Sequence, residues 1–348
     1  MNVLELNFER GWRGGERQTI YNMEGFRHAG INVSLVCREG FELEEKASNR
    51  GFNIHTFNTV WGVVGHLIAK GRQYDILHAQ TSHILTYCIL TKPFHRCKIV
   101  LSRRVVFKPK GMLTLLKYRL TDRVVGISTA IKRVLKLSGV RDVAVITDMV
   151  VESKGTTDIA QQIVDPYKLQ GKHVVATVSM LTPDKDPLTM VDTIKLLLKK
   201  RSDFVFLHFG QGELKEQVQA KINAEGLQDV YKLMGYQKEI EPFYPLFDVF
   251  VMSSKQEGLG SSVLDAFMNK VPVVATNAGG LKELLSEGRG IPCSVGVPEQ
   301  IAEGINRLLE DGELHERTAT RAYSYAVRRH SIKAVTEQYH ELFKDLLN

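Results

Sequence analysis

The sequence predicts an α/β protein made of two domains, each built on a doubly wound parallel sheet. Short apolar segments alternate with amphipathic helical segments along most of the chain, which is typical of parallel strands joined by crossover helices. The alternation stops near residue 147, gives way to a polar segment and then starts again. The 348 residues are also too many for one ordinary domain and suit two domains of about 150 residues each.

In the first half, strands are expected at residues 3–6, 33–37, 52–57, 74–80, 97–104, 122–128 and 143–147. Helices are expected at 17–29, 60–70, 82–92, 111–120 and 129–138. The segment from Glu152 to Asp165 is rich in Ser, Thr and Gly, which makes it the best candidate for a linker. We therefore expect the N-terminal domain to comprise residues 1–160.

In the second half, strands are expected at residues 172–181, 204–210, 230–235, 247–252 and 271–276. Helices are expected at 188–201, 213–225, 239–246 and 262–268, after the Gly279-Gly280 turn, and from Pro298 to the end. The C-terminal domain is expected to comprise residues 161–325. The remaining helix, 326–348, could pack back on the N-terminal domain.

Composition narrows the class of protein. The cysteines lie in or beside apolar runs without the short paired spacing of a zinc site, so we expect reduced packing residues at Cys37, Cys88, Cys97 and Cys293. The first residues predict a short strand rather than a signal peptide. No apolar run approaches the ~20 residues that span a bilayer. These features predict a cytoplasmic protein.

Positive charge is concentrated in one part of the sequence. Residues 95–123 contain nine Lys and Arg residues and one Asp, a balance of +8, whereas the whole chain carries +7. The segment indicates an anionic partner, which could be a phosphate-bearing substrate, an anionic membrane or a nucleic acid. We expect no nucleic acid, because no aromatic-rich basic motif accompanies the charge.

Residues 111–123 mix apolar and basic side chains, and two interpretations are open. The helix could lie in a bilayer interface, with its charges towards anionic headgroups. It could equally pack its leucines into the core and leave its charges in water, which is the commoner arrangement in proteins.

The stretch from Phe247 to Leu285 carries the most specific pattern. After an apolar strand, a polar loop holds residues 257–260 (EGLG), and a helix follows. Ligands of parallel sheets bind at the carboxyl ends of strands, where backbone amides and a helix N-terminus can face an anion. Asp265 lies eight residues after Glu257, about two helical turns, so both carboxylates can face one cleft. A sugar nucleotide combines the phosphate and hydroxyl groups that suit such a site.

Lys185 lies in the loop 182–187, directly after a predicted central strand and before a helix. A flexible ammonium group at that position can meet a diphosphate. A solvated loop lysine is the commoner explanation for a lysine taken alone. The position at a strand end favours the functional interpretation.

Histidines and arginines also follow strand ends in the first half. His78 and His83 bracket the end of the strand DILHAQ, where each could orient a hydroxyl or assist proton transfer, or be a structural residue. Arg103 and Arg104 end the next strand, and their planar guanidinium groups suit phosphate or carboxylate. Adjacent strand residues point in opposite directions, so at least one arginine should face the cleft.

The pair Gly14-Gly15 ends a loop after the first strand. Together with Gly11, it does not form the G-x-G-x-x-G fingerprint of dinucleotide binding. The pair could hold a phosphate or let a substrate approach the backbone closely. An ordinary turn is an equally good explanation of the local sequence.

At this point the chain resembles a family-4 retaining glycosyltransferase of the GT-B fold, in which two Rossmann-like domains face each other across a cleft. The resemblance covers nearly the whole chain in order. It is carried by the Gly14-Gly15 loop, DILHAQ, RVVGISTAIKRVL, VSMLTPDKDPLTMVDTIKLL, FGQGELK and FVMSSKQEGLGSSVLDAFMNKVPVVATNAGGLKELL. The last segment is the most specific, because it matches the family's two acids at E-x7-E spacing followed by a Pro-Val-Val-Ala-Thr and Gly-Gly run.

The resemblance implies roles for the matched residues. Glu257 would hold hydroxyls of the transferred sugar, Lys185 would neutralise the leaving diphosphate, and Asp265 would bond the ribose hydroxyls. Other donor contacts would come from Gly258, Leu259, Gly260, Ser261, Gly210 and Tyr236. The glycine loop would close over the phosphate from the other domain. Phosphate or acceptor contacts are therefore assigned to Gly14, Gly15, Arg103, Arg104 and His78.

Three positions depart from the family pattern. The second acid is Asp265 instead of Glu, which shortens its reach by one methylene. The arginine usually found five residues before the lysine is Met180, so one of the two arginines ending strand 97–104 is the expected substitute. The family's H-x-H motif is His78-Ala79-Gln80 in this chain, so His83 is expected to act as the catalytic histidine.

These features predict transfer of a sugar from a nucleoside-diphosphate sugar to an acceptor hydroxyl, with retention at the anomeric carbon. We expect no cofactor and no metal, since Lys185, arginines and helix N-termini can supply the positive charge. The expected acceptor is a saccharide of the lipid-linked or lipopolysaccharide type, met at the inner face of the cytoplasmic membrane. The alternatives are a sugar-nucleotide epimerase of the same architecture and a non-catalytic sugar-nucleotide-binding module.

Overall fold

A computed structural model describes residues 1–153 and 169–348. The chain divides into two compact units. Unit 1 consists of Met1–Met149 and Arg329–Asn348, and unit 2 consists of Val150–Arg328. The expected boundary between residues 160 and 161 and most of the expected linker lie outside the described residues.

Unit 1 is built on a seven-stranded sheet in which every neighbouring pair of strands is parallel. The strands are β1 (Asn2–Leu6), β2 (Asn32–Arg38), β3 (Asn53–Phe57), β4 (Ile76–Ala79), β5 (Lys98–Arg103), β6 (Arg123–Gly126) and β7 (Val143–Val145). Their order is β3-β2-β1-β4-β5-β6-β7. The order reverses direction between β1 and β4, and ligands of open α/β sheets bind beside such a switch point.

The helices of unit 1 are α1 (Gly14–His28), α2 (Glu42–Ser48), α3 (Val60–Lys70), α4 (Ser82–Leu90), α5 (Met112–Arg119) and α6 (Thr129–Leu137). Side-chain oxygens of Thr81 and Ser128 accept hydrogen bonds from backbone amides in the first turns of α4 and α6. Helix α1 begins at Gly14, three residues earlier than expected. The Gly14-Gly15 pair therefore lies in the first helical turn, whose start is stabilised by the bond from the Arg13 amide to Glu16 Oε2.

Unit 2 is built on a six-stranded parallel sheet with the order β10-β9-β8-β11-β12-β13. Its strands are β8 (His173–Val178), β9 (Phe204–Phe209), β10 (Tyr231–Gly235), β11 (Val249–Met252), β12 (Val273–Thr276) and β13 (Ile291–Cys293). Its switch point lies between β8 and β11. The sequence pattern thus predicted the doubly wound sheets of both units correctly.

The later helices are α7 (Pro187–Leu198), α8 (Lys215–Ala224), α9 (Ser261–Met268), α10 (Leu281–Leu285), α11 (Pro298–Glu310), α12 (Gly312–His330) and α13 (Ile332–Leu347). The expected helix at 239–246 is a 3-10 helix, Glu241–Leu246, which contains two prolines. Proline lacks the N–H that α-helical hydrogen bonding needs, so a short 3-10 turn replaces the α-helix.

Helix α13 packs against α1 within unit 1. Tyr339 and Phe343 contact the ring of Phe26, with ring centroids 5.8 and 5.5 Å apart. A Cβ on Gly25 would lie 2.0 Å from Oγ1 of Thr336, so the close approach of the two helices requires glycine there. The C-terminal helix is consequently part of the core of unit 1.

The four cysteines are buried free thiols. None of the helices in residues 1–153 and 169–348 combines the length and the apolar character needed to cross a membrane.

Candidate active site

Two residues that the sequence assigned to one site, Lys185 and Glu257, are in direct contact in unit 2. Lys185 lies in the loop after β8, and Glu257 lies in the loop after the neighbouring strand β11. Nζ of Lys185 lies 2.6 Å from Oε1 of Glu257, to which Oγ of Ser254 also donates a hydrogen bond at 2.9 Å. The lysine and glutamate side chains are only 21% and 10% exposed, so water screens their attraction weakly.

Backbone bonds hold the two loops together. Oγ of Ser253 donates to the carbonyl oxygens of Lys185 and Asp186, at 3.0 and 2.9 Å. The amide of Lys255 donates to the carbonyl of Asp184 at 2.7 Å. Asp186 has a φ of 50°, a left-handed conformation that costs a non-glycine residue free energy and is retained where the surroundings enforce it. The backbone on both sides of Lys185 is thus held by the neighbouring loop.

The Gly279-Gly280 turn supports the loop that carries Glu257. Gly279 has a φ of 54°, and a Cβ on it would lie 2.1 Å from the carbonyl oxygen of Glu257. The amide of Gly280 donates to that same carbonyl at 3.0 Å, and a Cβ on Gly280 would lie 2.5 Å from the carbonyl oxygen of Gly258. Only glycine lets the two backbone segments approach this closely.

The loop 257–260 leads into the N-terminus of α9. Gly260, at a φ of 97°, precedes the helix, which begins at Ser261. Leu259 is buried and anchors the loop, while Gly258 and Gly260 keep its backbone free of side chains. Asp265 lies in the second turn of α9 and is buried as well. The amides and dipole at this helix start favour an anion.

The two remaining residues predicted to contact the donor, Gly210 and Tyr236, lie at the carboxyl ends of the neighbouring strands β9 and β10, and β8 ends beside them. Gly210 follows β9 with a φ of 143°, and its amide donates to the carbonyl of Gly235 at 2.8 Å. A Cβ on Gly210 would lie 1.9 Å from the carbonyl oxygen of Ser179, which follows β8. Tyr236 follows β10 and is half exposed. Gly210 is therefore required for the packing of this edge of the sheet.

His208, which sequence reasoning missed, fixes the same edge. Its Nε2 lies 3.3 Å from the carbonyl oxygen of Ser179, so Nε2 must be the donor, and Nδ1, 2.7 Å from Tyr231 Oη, accepts the tyrosine proton. These bonds satisfy a neutral imidazole. Burial lowers the pKa of His208 to about 4. The only available signal was a histidine inside the apolar run FVFLHF.

His208 should make stability depend on pH. An unfolded histidine titrates near pH 6.5, so between about pH 4 and pH 6.5 the unfolded chain binds more protons than the folded one. The contribution of His208 is complete above pH 6.5 and is lost as the pH falls towards 4, by up to about 1.4 kcal/mol per unit. We expect the free-energy difference between wild type and His208→Gln, measured by denaturant unfolding, to shrink from pH 7 to pH 5. A constant difference would contradict this assignment.

In unit 1, His78 is fully buried in β4. Its Nδ1 lies 2.7 Å from Oε1 of Glu5, and its Nε2 lies 2.8 Å from Oγ of Ser102. Ser102 in turn bonds to Tyr339 Oη at 2.7 Å. Both ring nitrogens of His78 therefore have protein partners, and the bonds link three strands to α13. His83 lies in the first turn of α4 and is exposed, with its ring against the edge of Tyr87.

A cavity of about 420 Å³ lies in unit 1 at the carboxyl ends of β1, β4 and β5. Both predicted arginines, Arg103 and Arg104, line it, as does Gly15. Other charged lining residues are Glu9, Arg10, Arg13 and Glu16. The cavity therefore offers both cationic and anionic groups beside the start of α1.

Protein groups already engage the two predicted arginines. Nη1 of Arg103 donates to Tyr118 Oη at 2.5 Å. Arg104 donates from Nε to Oδ1 of Asp148 at 3.0 Å and from Nη1 to Oε1 of Gln80 at 2.7 Å. The Asp148 carboxylate beside it raises the pKa of Arg104, against the effect of burial. The arginines thus help to form the wall of the cavity.

Sequence reasoning also missed the serines of the unit 2 site. Ser253 and Ser254 are buried directly after the strand VFVM and bond to the lysine loop and to Glu257. Their signal was available, since a polar pair at the carboxyl end of an apolar strand lies where ligands bind in such sheets.

Comparison with known proteins finds similarity in the second half of the chain. Residues 159–325 match the family model of glycosyl transferases group 1. The lipopolysaccharide core biosynthesis glycosyltransferase LpsE of Rhizobium meliloti (strain 1021) is 31% identical over 134 residues, 38% of this chain and 39% of that protein. Alpha-D-kanosaminyltransferase of Streptomyces kanamyceticus is 25% identical over 183 residues, 52% of this chain and 47% of that protein. The chain thus spans less than half the length of these curated relatives.

The fold is similar to that of Anabaena Alr3699/HepE, whose crystal structure contains UDP and glucose. The TM-score is 0.87 at 18% sequence identity, covering 99% of this chain and 100% of the other. Two Rossmann-like units with parallel sheets of seven and six strands are the GT-B architecture. The chain therefore has the GT-B fold, and its second half is similar to glycosyl transferases group 1.

Proposed function

We propose that the protein is a retaining glycosyltransferase that moves a sugar from a nucleoside-diphosphate sugar to an acceptor hydroxyl. The observation that supports this best is the largely water-excluded Lys185–Glu257 pair beside the N-terminus of α9. It combines a cation for a diphosphate with a carboxylate for sugar hydroxyls. UDP and glucose in the Anabaena protein support a nucleotide-sugar donor for this fold.

In the proposed mechanism, the donor replaces the direct contact between Lys185 and Glu257. The ammonium group turns to the diphosphate, whose negative charge grows as the bond to the anomeric carbon breaks, and the start of α9 adds its amides and dipole. Glu257 then accepts bonds from the sugar hydroxyls and Asp265 from the ribose. Because the loops are fixed by Ser253, little reorganisation is needed when charge develops.

Metal independence is part of this proposal. Asp184 and Asp186 flank Lys185 with the spacing of a metal-binding acid pair, but both carboxylates are engaged by protein groups. Oδ1 of Asp184 accepts from Oγ1 of Thr182 at 2.6 Å, and Oδ1 of Asp186 lies 3.1 Å from Nζ of Lys255. The charge on the diphosphate would be met by Lys185 instead.

For the acceptor, we propose a lipid-linked or lipopolysaccharide-type saccharide bound at the cavity of unit 1. Support comes from the charged residues that line that cavity, from the similarity to LpsE and from the basic segment 95–123. Gly14, Gly15 and the two wall arginines would meet its polar groups. His83, which directly follows the cavity-lining residue Ser82, would assist proton transfer. An acceptor of this type places the protein peripherally on the inner face of the cytoplasmic membrane.

The proposal is tested by incubating the protein with a panel of nucleoside-diphosphate sugars, with and without saccharide acceptors, and measuring nucleoside diphosphate release. We expect release that depends on the acceptor, survives a chelator and yields a glycoside with the anomeric configuration of the donor. Conversion of the donor without acceptor would instead identify an epimerase. Binding without turnover would identify a binding module, and loss of activity with chelator would refute metal independence.

A further inference from the structure

Helix α5 is attached to unit 1 by its polar side chains. Nζ of Lys117 donates to the carbonyl of Ser82 at 2.6 Å and to Oγ1 of Thr86 at 2.9 Å. Tyr118 is buried and accepts the bond from Arg103. An amphipathic helix of a globular protein ordinarily turns its apolar face to the core. Here the lysine and the tyrosine hold the helix to the body.

The apolar residues of the same helix project into solvent. Together with Phe107 before the helix and Leu120 just after it, we call them the α5 surface; its residues are Phe107 (66% exposed), Met112 (85%), Leu113 (82%), Leu116 (49%) and Leu120 (45%). Of the seventeen large hydrophobic side chains that are exposed in the described residues, eight lie between residues 90 and 120. Such a concentration of exposed apolar side chains in one short stretch of the chain indicates an interaction site rather than the scattered apolar residues of an ordinary surface.

The α5 surface excludes the core-packing interpretation of helix 111–123 that the sequence left open. Leu90 and Phe94 are also exposed, and the turn that holds Phe94 is tied to α5, since Nζ of Lys92 donates to the carbonyl of Leu120 at 2.9 Å. Exposed apolar residues thus also lie on the turn that contacts the C-terminal end of α5.

The charge around the α5 surface indicates what kind of partner it binds. Residues 76–121 contain no Asp or Glu. Four basic side chains beside the exposed apolar residues are themselves exposed, namely Arg96, Lys108, Lys110 and Arg119. Apolar side chains surrounded by Lys and Arg are the pattern of a segment that lies in an anionic bilayer interface. Two copies of this part of unit 1 would repel each other, which disfavours self-association through it.

We propose that the α5 surface docks unit 1 on an anionic lipid bilayer, with Met112, Leu113 and Leu116 inserted among the lipids and the surrounding cations on the headgroups. Tyr118 lines the cavity of unit 1, so the helix that carries the α5 surface also forms part of the cavity wall. Docking would bring the cavity to the head of a lipid-linked acceptor, and in this respect the inference rests on the proposed function.

The test is flotation of the full chain with vesicles of phosphatidylglycerol and phosphatidylethanolamine, with phosphatidylcholine vesicles as the neutral comparison. We expect the wild type to float with the anionic vesicles only, and less at high salt. The triple change Met112→Ser, Leu113→Ser and Leu116→Ser should weaken partitioning at least about tenfold. Trp61→Ser with Leu137→Ser removes equally exposed apolar groups elsewhere in unit 1 and should have no effect.

Failure of the wild type to float at low salt, or equal flotation of the triple variant, would overturn the docking. A change in oligomeric state in the triple variant without lipid binding by the wild type would show a protein interface instead. Sugar transfer to a water-soluble acceptor separates this inference from the proposed function. The triple variant should transfer sugar to such an acceptor at the wild-type rate, because the transfer does not require the membrane. Flotation of the wild type without any sugar transfer would support docking on the bilayer and refute the proposed glycosyltransferase activity.

Discussion

Lys185→Ala is expected to lower sugar transfer by about 10²–10³-fold, mostly in kcat. The reason is that the Lys185 ammonium is the cation proposed to stabilise the leaving diphosphate, and removing one preorganised stabilising group from an active site costs about this much. The change also leaves the Glu257 carboxylate without its 2.6 Å partner. Steady-state kinetics with a saturating acceptor give the measurement.

Lys255→Ala is the matched control for the lysine. Lys255 lies in the adjoining loop, its side chain is 53% exposed, and its ammonium lies 3.1 Å from Asp186. We expect its removal to change transfer by less than about threefold, because water can reach the half-exposed Lys255 ammonium and Asp186 keeps its hydrogen bond from Thr189 Oγ1. Equal effects of the two substitutions, or near-normal transfer by Lys185→Ala, would remove the role assigned to Lys185.

Gly279→Ala is expected to lower the free energy of unfolding of unit 2 by about 3 kcal/mol and donor turnover by at least about tenfold. The new Cβ would lie 2.1 Å from the carbonyl oxygen of Glu257, and the φ of 54° disfavours any side chain. The backbone must shift to relieve the contact, and the Glu257 carboxylate shifts with it. Denaturant unfolding and donor kinetics measure the two effects.

Gly296→Ala is the control that separates the two effects expected at Gly279, namely the contact of the new Cβ with the Glu257 carbonyl and the strain of a positive φ. Gly296 also has a positive φ, of 74°, but a Cβ there would meet nothing within 4 Å. We expect a loss of only about 1 kcal/mol from the conformation itself and no change in turnover. If both alanine variants lost the same stability and kept wild-type turnover, the support of the Glu257 loop by Gly279 would be disproved.

The strands were predictable because they are apolar and end at polar residues. Predicted strand 204–210 is β9, and predicted helix 60–70 is α3 with identical bounds. Two elements gave too little signal. Helix α2 has only two buried residues among seven, and β13 is three residues long and contains a proline. Short elements of this kind are specified by their neighbours in the fold rather than by their own periodicity.

The candidate site was predictable in its residues and unpredictable in its contacts. Glu257 and Lys185 could be singled out because each follows a strand, but their pairing depends on β8 lying beside β11. The buried partners of His78 come from β1 and β5, and no local pattern contains them. The orientation of α5 could not be predicted either. Its sequence is compatible with the leucines facing the core or facing solvent, and the hydrogen bonds of Lys117 to unit 1 fix the second arrangement.

The contact between Lys185 and Glu257 has a consequence for product release. In this conformation the two charges neutralise each other, so a ligand that brings a phosphate alone would take the lysine and leave the glutamate largely buried with a weaker set of partners. Under the proposed function, a complete nucleotide sugar would compensate both groups. After transfer, the nucleoside diphosphate would no longer do so, and Glu257 would compete with it for the Lys185 ammonium. The pair proposed to recognise the donor would thus also favour departure of the spent nucleotide.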